Sequence, residues 1–410
     1  MEAHPGPSSL ESAAMTLLAV LAALSLAAWC HLVFAHGRYW LCDQRLDGRA
    51  PAPARWPSVV AVVPARDEAD VLPETLRSLL DQDYPGSLRI VLVDDESDDG
   101  TADVAAELAR SHPASARLHV AKTPARPPGW VGKMWALETG VQEAAGAGLE
   151  PEHWLFTDAD VVHGPDDLRR LVAKAESEAF DLVSEMVLLH VGRGLGPLLV
   201  PAFVYFFQKL YPFPRVNDPR ARTAGAAGGC VLVRRSALTR AGGITALRGE
   251  VIDDCALGRN VKRSGGRIWL GLSERERSIR PYRSIADVWN MVARSAFTQL
   301  HHSTLLLVGA TIGLALLYLL PPLTALGLAL HHDPLAASLA AAAWLLQAAS
   351  FVPTLVLYGR SPWLGLALPL AGLLYTGMTL DSARRHWRNE GARWKGRAGA
   401  GHSAPGAPST

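Results

Sequence analysis

Residues 153–160 read His-Trp-Leu-Phe-Thr-Asp-Ala-Asp, a short apolar run that ends in two carboxylates, Asp158 and Asp160. Side chains alternate along a strand, so residues at this spacing project the same way, and charged ones fit only where the strand ends. The two negative charges repel each other unless a cation lies between them, and hard divalent cations suit carboxylate oxygens. Aspartates are also common at strand-to-loop turns, so this pair alone does not distinguish a metal site from a surface turn.

Two other apolar runs also end in turn and charged residues. After residues 58–63 come Pro64, Arg66, Asp67 and Glu68, and after residues 88–93 come Asp94, Asp95, Asp98 and Asp99. Helical periodicity separates the runs at 68–81, 101–110 and 165–179. This alternation predicts an α/β fold, a mainly parallel sheet with helices on both faces and ligands at the carboxyl ends of its strands. Because carboxylates gathered at one sheet edge add no stability, we interpret them as a site for a metal–diphosphate and a nucleoside rather than as helix N-caps.

The composition limits the class of protein. The chain has 410 residues, enough for two domains, and a formal charge of +1, which gives no reason to expect nucleic-acid binding. Its four cysteines are Cys30, Cys42, Cys230 and Cys255. No pair has Cys-x-x-Cys spacing and no histidine cluster accompanies them. We therefore expect free thiols facing a reducing compartment, rather than a disulfide framework or a zinc site.

Long apolar stretches occupy residues 13–35, 304–330, 335–357 and 363–380. A spanning helix needs about 20 apolar residues, so we predict a transmembrane segment at each stretch. The first follows a leader, residues 1–12, that contains no Lys or Arg, which favours an uncleaved anchor over a signal peptide. Proline removes a backbone donor, so we expect Pro321-Pro322 to kink or interrupt the second stretch.

The remaining boundaries follow from these stretches. Residues 56–284 form the predicted α/β domain, and residues 381–410 a basic, partly disordered tail. Residues 285–300 carry apolar side chains near one face, which predicts an amphipathic helix at the membrane interface. Residues 195–210 are rich in aromatic side chains, a pattern typical of a second interfacial contact, of an acceptor-binding lip or of core packing.

Three stretches together resemble the N-terminal motifs of family 2 glycosyltransferases. They are Val-Val-Pro-Ala-Arg-Asp-Glu at 62–68, Val-Asp-Asp-Glu-Ser-Asp-Asp-Gly-Thr at 93–101 and Thr-Asp-Ala-Asp at 157–160. The resemblance covers residues 57–285 and implies the GT-A fold, a nucleotide-diphosphosugar transferase fold. The family pattern usually has Gly where Glu96 stands, and often Asn where Asp67 stands. With its anchor and C-terminal spans, the whole chain is similar to the hopanoid-biosynthesis-associated subgroup.

The resemblance implies roles for individual residues. The implied nucleotide-sugar-binding residues are Pro64, Arg66, Asp67, Glu68, Asp94, Asp95, Lys133 and Asp158. Asp95 is the expected contact to uracil or ribose, and a UDP-sugar is the favoured donor. Asp158 faces the ribose and the metal, and Asp160 ligates Mg²⁺ or Mn²⁺, which neutralises charge on the departing diphosphate. Lys133 belongs to a Gly-Lys element near the nucleotide, although a solvated helix start fits it equally well.

Residues 250–254, Glu-Val-Ile-Asp-Asp, resemble the family's Glu-Asp motif, with Asp253 in place of the Glu and Asp254 at the position of the catalytic base. The base takes a proton from an acceptor hydroxyl as that oxygen attacks the anomeric carbon, and one displacement inverts the configuration. Residues 228–235 and 241–243 also match the family. The alternative is N-cap chemistry, because the two aspartates precede a helical pattern at 256–263.

The acceptor is inferred from what surrounds the domain. The Arg-Trp pair that processive members carry after the base is missing, and Arg294 and Phe297 are its only remnant, which argues against a polysaccharide synthase. A domain held at a bilayer by both ends predicts a lipid acceptor, hopanoid-related by analogy with the subgroup. One alternative is a non-catalytic nucleotide-sugar-binding membrane scaffold. The other is a polyprenyl-phosphate sugar synthase, whose substrate phosphate would suit Arg275, Arg277, Arg280 and Arg283.

Nucleotide sugars are cytosolic, so we predict a multi-pass protein of the cell inner membrane with a cytoplasmic catalytic domain. The basic residues after the first apolar stretch agree with the positive-inside rule: Arg38, Arg45, Arg49 and Arg55. Three further complete spans would place the tail on the other side, yet the tail is also basic. We therefore expect that one C-terminal segment does not cross fully, or crosses twice.

Overall fold

The computed structural model describes residues 9–46, 48, 50–328, 333–388, 390, 393–394 and 397–398. These residues fall into two compact units. The helical unit comprises the described residues up to Cys42, with Arg193–Pro212 and Ser284–Ala383. The sheet unit comprises Asp43–Gly192, Phe213–Arg283 and the described residues after Ala383.

Among the described residues, eight strands form one sheet in the order β3-β2-β1-β4-β7-β6-β8-β5. They are β1 Val59–Ala65, β2 Leu88–Asp94, β3 Leu118–Lys122, β4 His153–Thr157, β5 Val161–Val162, β6 Leu182–Leu188, β7 Cys230–Arg234 and β8 Ile268–Ser278. A separate antiparallel pair is formed by β9 Arg393–Trp394 and β10 Arg397–Ala398.

The predicted α/β sheet is confirmed, but it is mixed. Strands β3, β2, β1 and β4 are parallel neighbours, as predicted. Strand β7 runs antiparallel to both β4 and β6, and β5 runs antiparallel to β8. Strands β1, β2 and β4 were predicted because they are short apolar runs that end in turn residues, whereas β3 was not predicted.

The α-helices are α1 Ser9–Cys30, α2 Leu72–Leu80, α3 Thr101–Ser111, α4 Gly132–Gly146, α5 Asp167–Ser177, α6 Gly196–Leu210, α7 Phe213–Asn217, α8 Arg235–Arg240, α9 Asp253–Arg263, α10 Ile285–Ala293, α11 Ala296–Gln299, α12 Thr304–Leu314, α13 Leu320–Leu328, α14 Pro334–Leu357 and α15 Leu368–Trp387. The π-helical turns are His31–Ala35 and Ala315–Leu319, and the 3₁₀ turns are Tyr39–Leu41, Ser115–Arg117, Ile244–Leu247 and Pro362–Ala367.

Two packing features position the sheet edge. The leucines of α2 are buried on one side, as its periodicity predicts: Leu72, Leu76, Leu79 and Leu80. Burial of each such side chain contributes about 1.5–3 kcal/mol. Helix α4 packs so closely on β1 at Gly140 that a Cβ atom on this residue would lie 2.3 Å from a methyl carbon of Val62. The absence of a side chain at Gly140 allows this close packing, which brings the start of α4 to the edge of the sheet.

Four helical segments are long and apolar enough to span a membrane: Met15–Ala35, Thr304–Gly327, Pro334–Leu357 and Pro362–Trp387. The second contains Pro321-Pro322, and its α-helical pattern gives way to the π-helical turn Ala315–Leu319 just before them. Proline cannot donate to the carbonyl four residues earlier, and a π turn accommodates that loss.

The predicted amphipathic segment, residues 285–300, forms the two short helices α10 and α11. Val288, Val292 and Phe297 are buried, whereas Ile285 is 44% exposed. Most of this apolar face therefore packs on protein within the helical unit, and its location at a membrane surface remains a prediction.

The aromatic segment forms α6. The Tyr205 hydroxyl lies 2.8 Å from that of Tyr39 and 2.7 Å from that of Ser350, so core packing accounts for this residue. At the two ends of α6, Leu195 and Leu210 are exposed. Residues 1–8 of the predicted leader lie outside the described residues, as do positions 389, 391–392, 395–396 and 399–410 of the predicted tail.

Candidate active site

The strand register brings the three acidic loops to one edge of the sheet. Strand β1 pairs in parallel with β2 and β4, with Ala65 opposite Asp94 and Val62 opposite Phe156. Because parallel strands share a direction, the loops that follow them leave the sheet on the same side. A cleft at this edge is lined by five of the predicted site residues: Pro64, Lys133, Asp158, Asp253 and Asp254.

Lys133 joins the carboxylates of this cleft. Its Nζ atom lies 2.8 Å from Asp158 Oδ1 and 3.5 Å from Asp253 Oδ2. The side chain is only 18% exposed, so a solvated helix start does not describe this lysine. Burial disfavours its charge, but the carboxylates of Asp158 and Asp253 outweigh burial and raise the pKa of Lys133. Lys133 is therefore a buried ammonium at the start of α4.

Asp254 is held by two backbone donors. Its Oδ2 accepts a hydrogen bond from the Gly228 N–H at 2.8 Å, and its Oδ1 accepts one from the Cys255 N–H at 2.7 Å. Asp253 and Asp254 begin α9 rather than precede it, as the sequence pattern had suggested. Burial and the neighbouring Asp253 raise the pKa of Asp254 to about 6. A carboxylate with such a pKa suits general-base catalysis near neutral pH.

Asp158 and Asp160 each face a cation of the protein. Asp158 pairs with Lys133, and Asp160 Oδ2 accepts hydrogen bonds from Ser278 Oγ at 2.8 Å and Arg280 Nε at 3.1 Å. Burial raises the pKa of Asp158, and the Asp160 carboxylate adds to the effect, while Lys133 opposes both. The two carboxylates thus repel each other at a strand end. Two carboxylates at one strand end offer the hard oxygen donors that a divalent cation such as Mg²⁺ or Mn²⁺ prefers.

Arg280 was missed as a site residue from the sequence. Its guanidinium contacts both oxygens of Glu68, with Nη2 2.6 Å from Oε2, and also bonds Asp160. Those carboxylates outweigh burial and raise the pKa of Arg280. The residue follows β8, a strand that local sequence did not predict, and no motif spacing marks it.

The basic residues suggested for a lipid phosphate are largely engaged elsewhere. Arg275 pairs with Asp166 and Asp167, and Arg277 pairs with Glu74 at 3.4 Å. Together with Arg280, three of those four arginines contact carboxylates of the sheet unit. A phosphate-bearing acceptor would have to compete with these ion pairs, and the role of this group in binding phosphate stays a prediction.

Hydrogen bonds join the loop after β1 to the loop after β2. The Asp67 N–H donates to Ser97 Oγ at 3.0 Å, and Asp67 Oδ1 accepts from the Asp98 N–H at 3.1 Å. Asp94 Oδ1 accepts from the Ser97 N–H at 3.2 Å. The predicted nucleoside-binding residues Asp67 and Asp94 therefore lie in two loops that hydrogen bonds hold together, here called the loop structure.

Within this loop structure, Asp95 is fully buried. Its Oδ1 accepts from Thr123 Oγ1 at 3.0 Å, and Arg66 Nη1 lies 3.9 Å from its Oδ2. Arg66 also donates to the Glu96 carbonyl at 3.0 Å. The Asp67 side chain is 38% exposed and therefore more accessible to a nucleoside than Asp95.

The two departures from the family pattern share a backbone property. Asp67 has φ +51° and Glu96 has φ +55°, both in the left-handed region. Glycine enters this region without strain, and Asn and Asp enter it more easily than other residues. Backbone geometry accounts for the Gly expected at one position and the Asn or Asp at the other.

Comparisons with known proteins agree with this geometry. Residues 57–298 match the family described as glycosyltransferase like family 2. An N-acetylglucosaminyltransferase of Mesorhizobium japonicum is 27% identical over 203 residues, which cover 47% of this chain and 43% of that relative. The chain thus spans less than half the length of this curated relative. The mannosyltransferase PcManGT of Pyrobaculum calidifontis, solved with GDP-Man and Mn²⁺, has the same fold.

That structure superposes with a TM-score of 0.55 at 22% identity, covering 92% of this chain and 99% of the other. The family match covers more than half of the chain, over the residues that build the sheet and the cleft. The chain therefore belongs to glycosyltransferase family 2, whose members use nucleotide-sugar donors, and its sheet unit has the GT-A fold.

Proposed function

We propose that this glycosyltransferase moves a sugar from a nucleotide-diphosphosugar to a hydroxyl of a lipid, with inversion at the anomeric carbon. The observation that carries the proposal is the presence of Asp254 and Asp158 in one cleft, together with Lys133. Asp254 has a pKa suited to a general base. Asp158 lies at the strand end where a contact to the metal and the nucleotide-sugar donor is proposed.

On the donor side, Asp158 and Asp160 would hold Mg²⁺ or Mn²⁺, and a bound divalent ion stabilises the negative charge of the departing diphosphate. PcManGT, which shares this fold, was solved with GDP-Man and Mn²⁺, and this supports a nucleotide-sugar donor and a divalent metal for the present chain. Lys133 supplies a further positive charge beside Asp158. The loops of Asp67, Asp94 and Asp95 would receive the nucleoside, and a UDP-sugar remains the favoured donor.

On the acceptor side, Asp254 takes the hydroxyl proton. The acceptor oxygen forms its bond to the anomeric carbon while the bond from that carbon to the diphosphate oxygen breaks, and the diphosphate leaves with the electron pair. The backbone N–H groups of Gly228 and Cys255 fix the carboxylate, and each oxygen keeps a further lone pair for the proton.

The proposed acceptor is a lipid, because four helical segments suit a membrane and a tethered domain meets a bilayer hydroxyl at high effective concentration. We propose a hopanoid-related lipid on the resemblance to that subgroup alone. Inner-membrane location, with the sheet unit in the cytoplasm, follows from the cytosolic supply of the donor. The segments at 13–35, 304–330, 335–357 and 363–380 are the proposed spans.

The experiment uses the full chain in nanodiscs, with radiolabelled UDP- and GDP-sugars and an extract of membrane lipids. We expect labelled lipid with one donor, and NMR of the product should show an inverted anomeric centre. The Asp254→Asn variant should lose transfer but keep donor binding, whereas Asp103→Asn, on the exposed side of α3, should retain both. Equal transfer to water-soluble alcohols would contradict the lipid acceptor, and donor binding without any transfer would indicate the scaffold.

A further inference from the structure

A second group of ionisable side chains lies behind the donor carboxylates and takes no part in the proposed reaction. His163, Cys230 and Glu276 each offer one ligand atom, and these atoms lie within 4.8 Å of one another. All three residues are buried, with Cys230 and Glu276 0% exposed. They come from the segment after β5, from β7 and from β8, so no sequence spacing announces them. Cys230 is a free thiol, as predicted, and one buried histidine lies beside it.

The hydrogen bonds around His163 leave the lone pair of its Nδ1 atom facing the carboxylate of Glu276. The Thr157 hydroxyl donates its one proton to the Gly229 carbonyl at 2.8 Å, so Thr157 Oγ1 can only accept from His163 Nε2, 2.9 Å away. With its proton on Nε2, a neutral imidazole points the Nδ1 lone pair at Glu276 Oε1, at 3.0 Å. Two acceptors at this distance need a cation or a proton between them.

Glu276 has a second unmet requirement. Its Oε2 atom is buried and has no hydrogen-bond partner in the described structure. An unpaired buried carboxylate oxygen is costly, and such groups usually have an ion, water or donor beside them.

A second buried carboxyl, that of Glu185, lies beside the group. Glu185 is 3% exposed and lies directly opposite Cys230 in the antiparallel pairing of β6 and β7. Opposite residues on a ladder have Cβ atoms about 4.5–5.5 Å apart and on the same face. The Glu185 oxygens are not among the ligand atoms that lie within 4.8 Å of one another. Burial and the charge of Glu276 raise the pKa of Glu185 well above its usual value, which favours the neutral form of this carboxyl.

We propose that His163, Cys230 and Glu276 supply three ligands of a binding site for Zn²⁺ or a similar thiophilic divalent ion, separate from the donor-metal carboxylates. Imidazole, thiolate and carboxylate together select zinc over Mg²⁺, which prefers oxygen ligands. Ligand atoms around a tetrahedral zinc lie about 3.3–3.8 Å apart, from bond lengths of about 2.0–2.3 Å, and small side-chain rotations reach that spacing.

Binding balances the charge of the group. The Cys230 thiol loses its proton to solvent and becomes a thiolate ligand, and the ion replaces the proton that otherwise lies between His163 Nδ1 and Glu276. The Nε2–H bond to Thr157 stays intact and orients the ring, as second-shell partners of metal-bound histidines do. The ion would link β7, β8 and the segment after β5 beside Thr157, whose neighbour is Asp158. It would therefore act as a structural support for the donor loop.

The test measures metal on the full chain purified without chelators, and it does not depend on whether sugar transfer occurs. After reconstitution with ZnSO₄ and desalting, we expect about one zinc per chain by mass spectrometry. Replacement by Co²⁺ should give a thiolate-to-cobalt charge-transfer band. The Cys230→Ser variant should lose the band and at least nine-tenths of the zinc. Cys42→Ser, which alters a buried thiol of the helical unit, should keep both.

Two further variants separate the outcomes. Asp160→Ala should leave the zinc content unchanged, because it removes only a donor-metal ligand. Glu276→Gln keeps the shape of the side chain, and it should weaken zinc binding at least tenfold even if Cys230→Ser does not fold. Absence of zinc and of the cobalt band in the wild type would overturn the proposal and leave protons as the balancing charge. Loss of zinc in Asp160→Ala with retention in Cys230→Ser would overturn it as well.

Discussion

The Lys133 ammonium lies 2.8 Å from the carboxylate of Asp158 and 3.5 Å from that of Asp253, so a single cation links the end of β4 to the start of α9. One of these elements carries the donor carboxylates, and the other carries the proposed base. The charge on Lys133 therefore bears on both halves of the reaction.

Replacing Lys133 with Met should lower kcat/KM by about 10²–10³, the loss typical of removing one electrostatic contact to a developing negative charge. Lys133 holds down the pKa of Asp254, so its removal should also move the acidic limb of the rate profile to higher pH. The pH dependence of kcat/KM measures both effects. Lys122→Met, on the exposed end of β3, is the matched control and should change neither quantity.

Activity of the wild type should rise with pH as Asp254 loses its proton. The pKa of this carboxyl is raised to about 6 by burial and by Asp253, and the base works only when deprotonated, so the rate should be half-maximal near that pH. Asp254→Asn should reduce kcat by about 10²–10⁴ and remove this limb. Initial rates from about pH 5 to about pH 8 test the prediction. A flat wild-type profile over this range would exclude Asp254 as the base.

Gly228→Ala should impair catalysis without unfolding the protein. A Cβ atom at this position would lie 3.3 Å from both Asp254 Oδ2 and Lys133 Nζ, close enough to displace them by a few tenths of an ångström. Misplacement by about 1 Å can cost about a hundredfold in rate, so we expect a loss of about tenfold. Gly146→Ala, at the open end of α4, has nothing within 4 Å of its new methyl group and should retain full activity.

The contributions of Arg280 and Glu68 to the free energy of unfolding should depend on each other. Arg280→Met leaves a carboxylate that is only 7% exposed without its guanidinium, and we expect a loss of about 2 kcal/mol in the free energy of unfolding. Glu68→Gln in the same chain should restore part of the loss, because the uncompensated charge is gone. Arg277→Met breaks a pair that is 58% exposed on both sides and should cost under about 1 kcal/mol. Denaturant titration of the wild type and of these three variants measures each loss, and Glu68→Gln alone completes the double-mutant cycle that gives the coupling.

Glu96→Gly should stabilise the protein by about 0.5–1 kcal/mol. Glu96 has φ +55°, where a side chain costs about 1–2 kcal/mol, and the greater freedom of glycine in the unfolded chain offsets part of the gain. Thermal unfolding provides the measurement. Glu107→Gly, in the exposed middle of α3, is the contrasting control, and it should destabilise the protein by about 1 kcal/mol. A lower melting temperature for Glu96→Gly would refute the backbone argument.

Local sequence was enough for much of the fold. Strands β1, β2 and β4 are short apolar runs followed by turn residues, and the leucines of α2 repeat at helical spacing, so nearest neighbours specify these elements. The register among them was not local, but parallel strands with crossover helices leave few alternatives. For this reason the acidic loops could be expected at one edge.

The other strands of the sheet, β3 and β5 to β8, were not predicted from local sequence. Strand β8 carries alternating charged residues in its second half, and Arg280 emerges from it beside Asp160 only because β8 pairs with β5 and β6. In the same way, Cys230 meets His163 and Glu276 through pairing between distant strands. No periodicity within a short window contains this information.

By itself, the sequence determined the elements whose signals are local: the apolar helices, the parallel half-sheet and the motifs that end its strands. Only the tertiary structure decided which charges meet, namely Lys133 with Asp158, Arg280 with Glu68 and Asp160, and His163 with Cys230 and Glu276. The physical reason is that periodicity and turn chemistry act over a few residues. Ion pairs and ligand groups instead depend on where long-range strand pairing brings each backbone position.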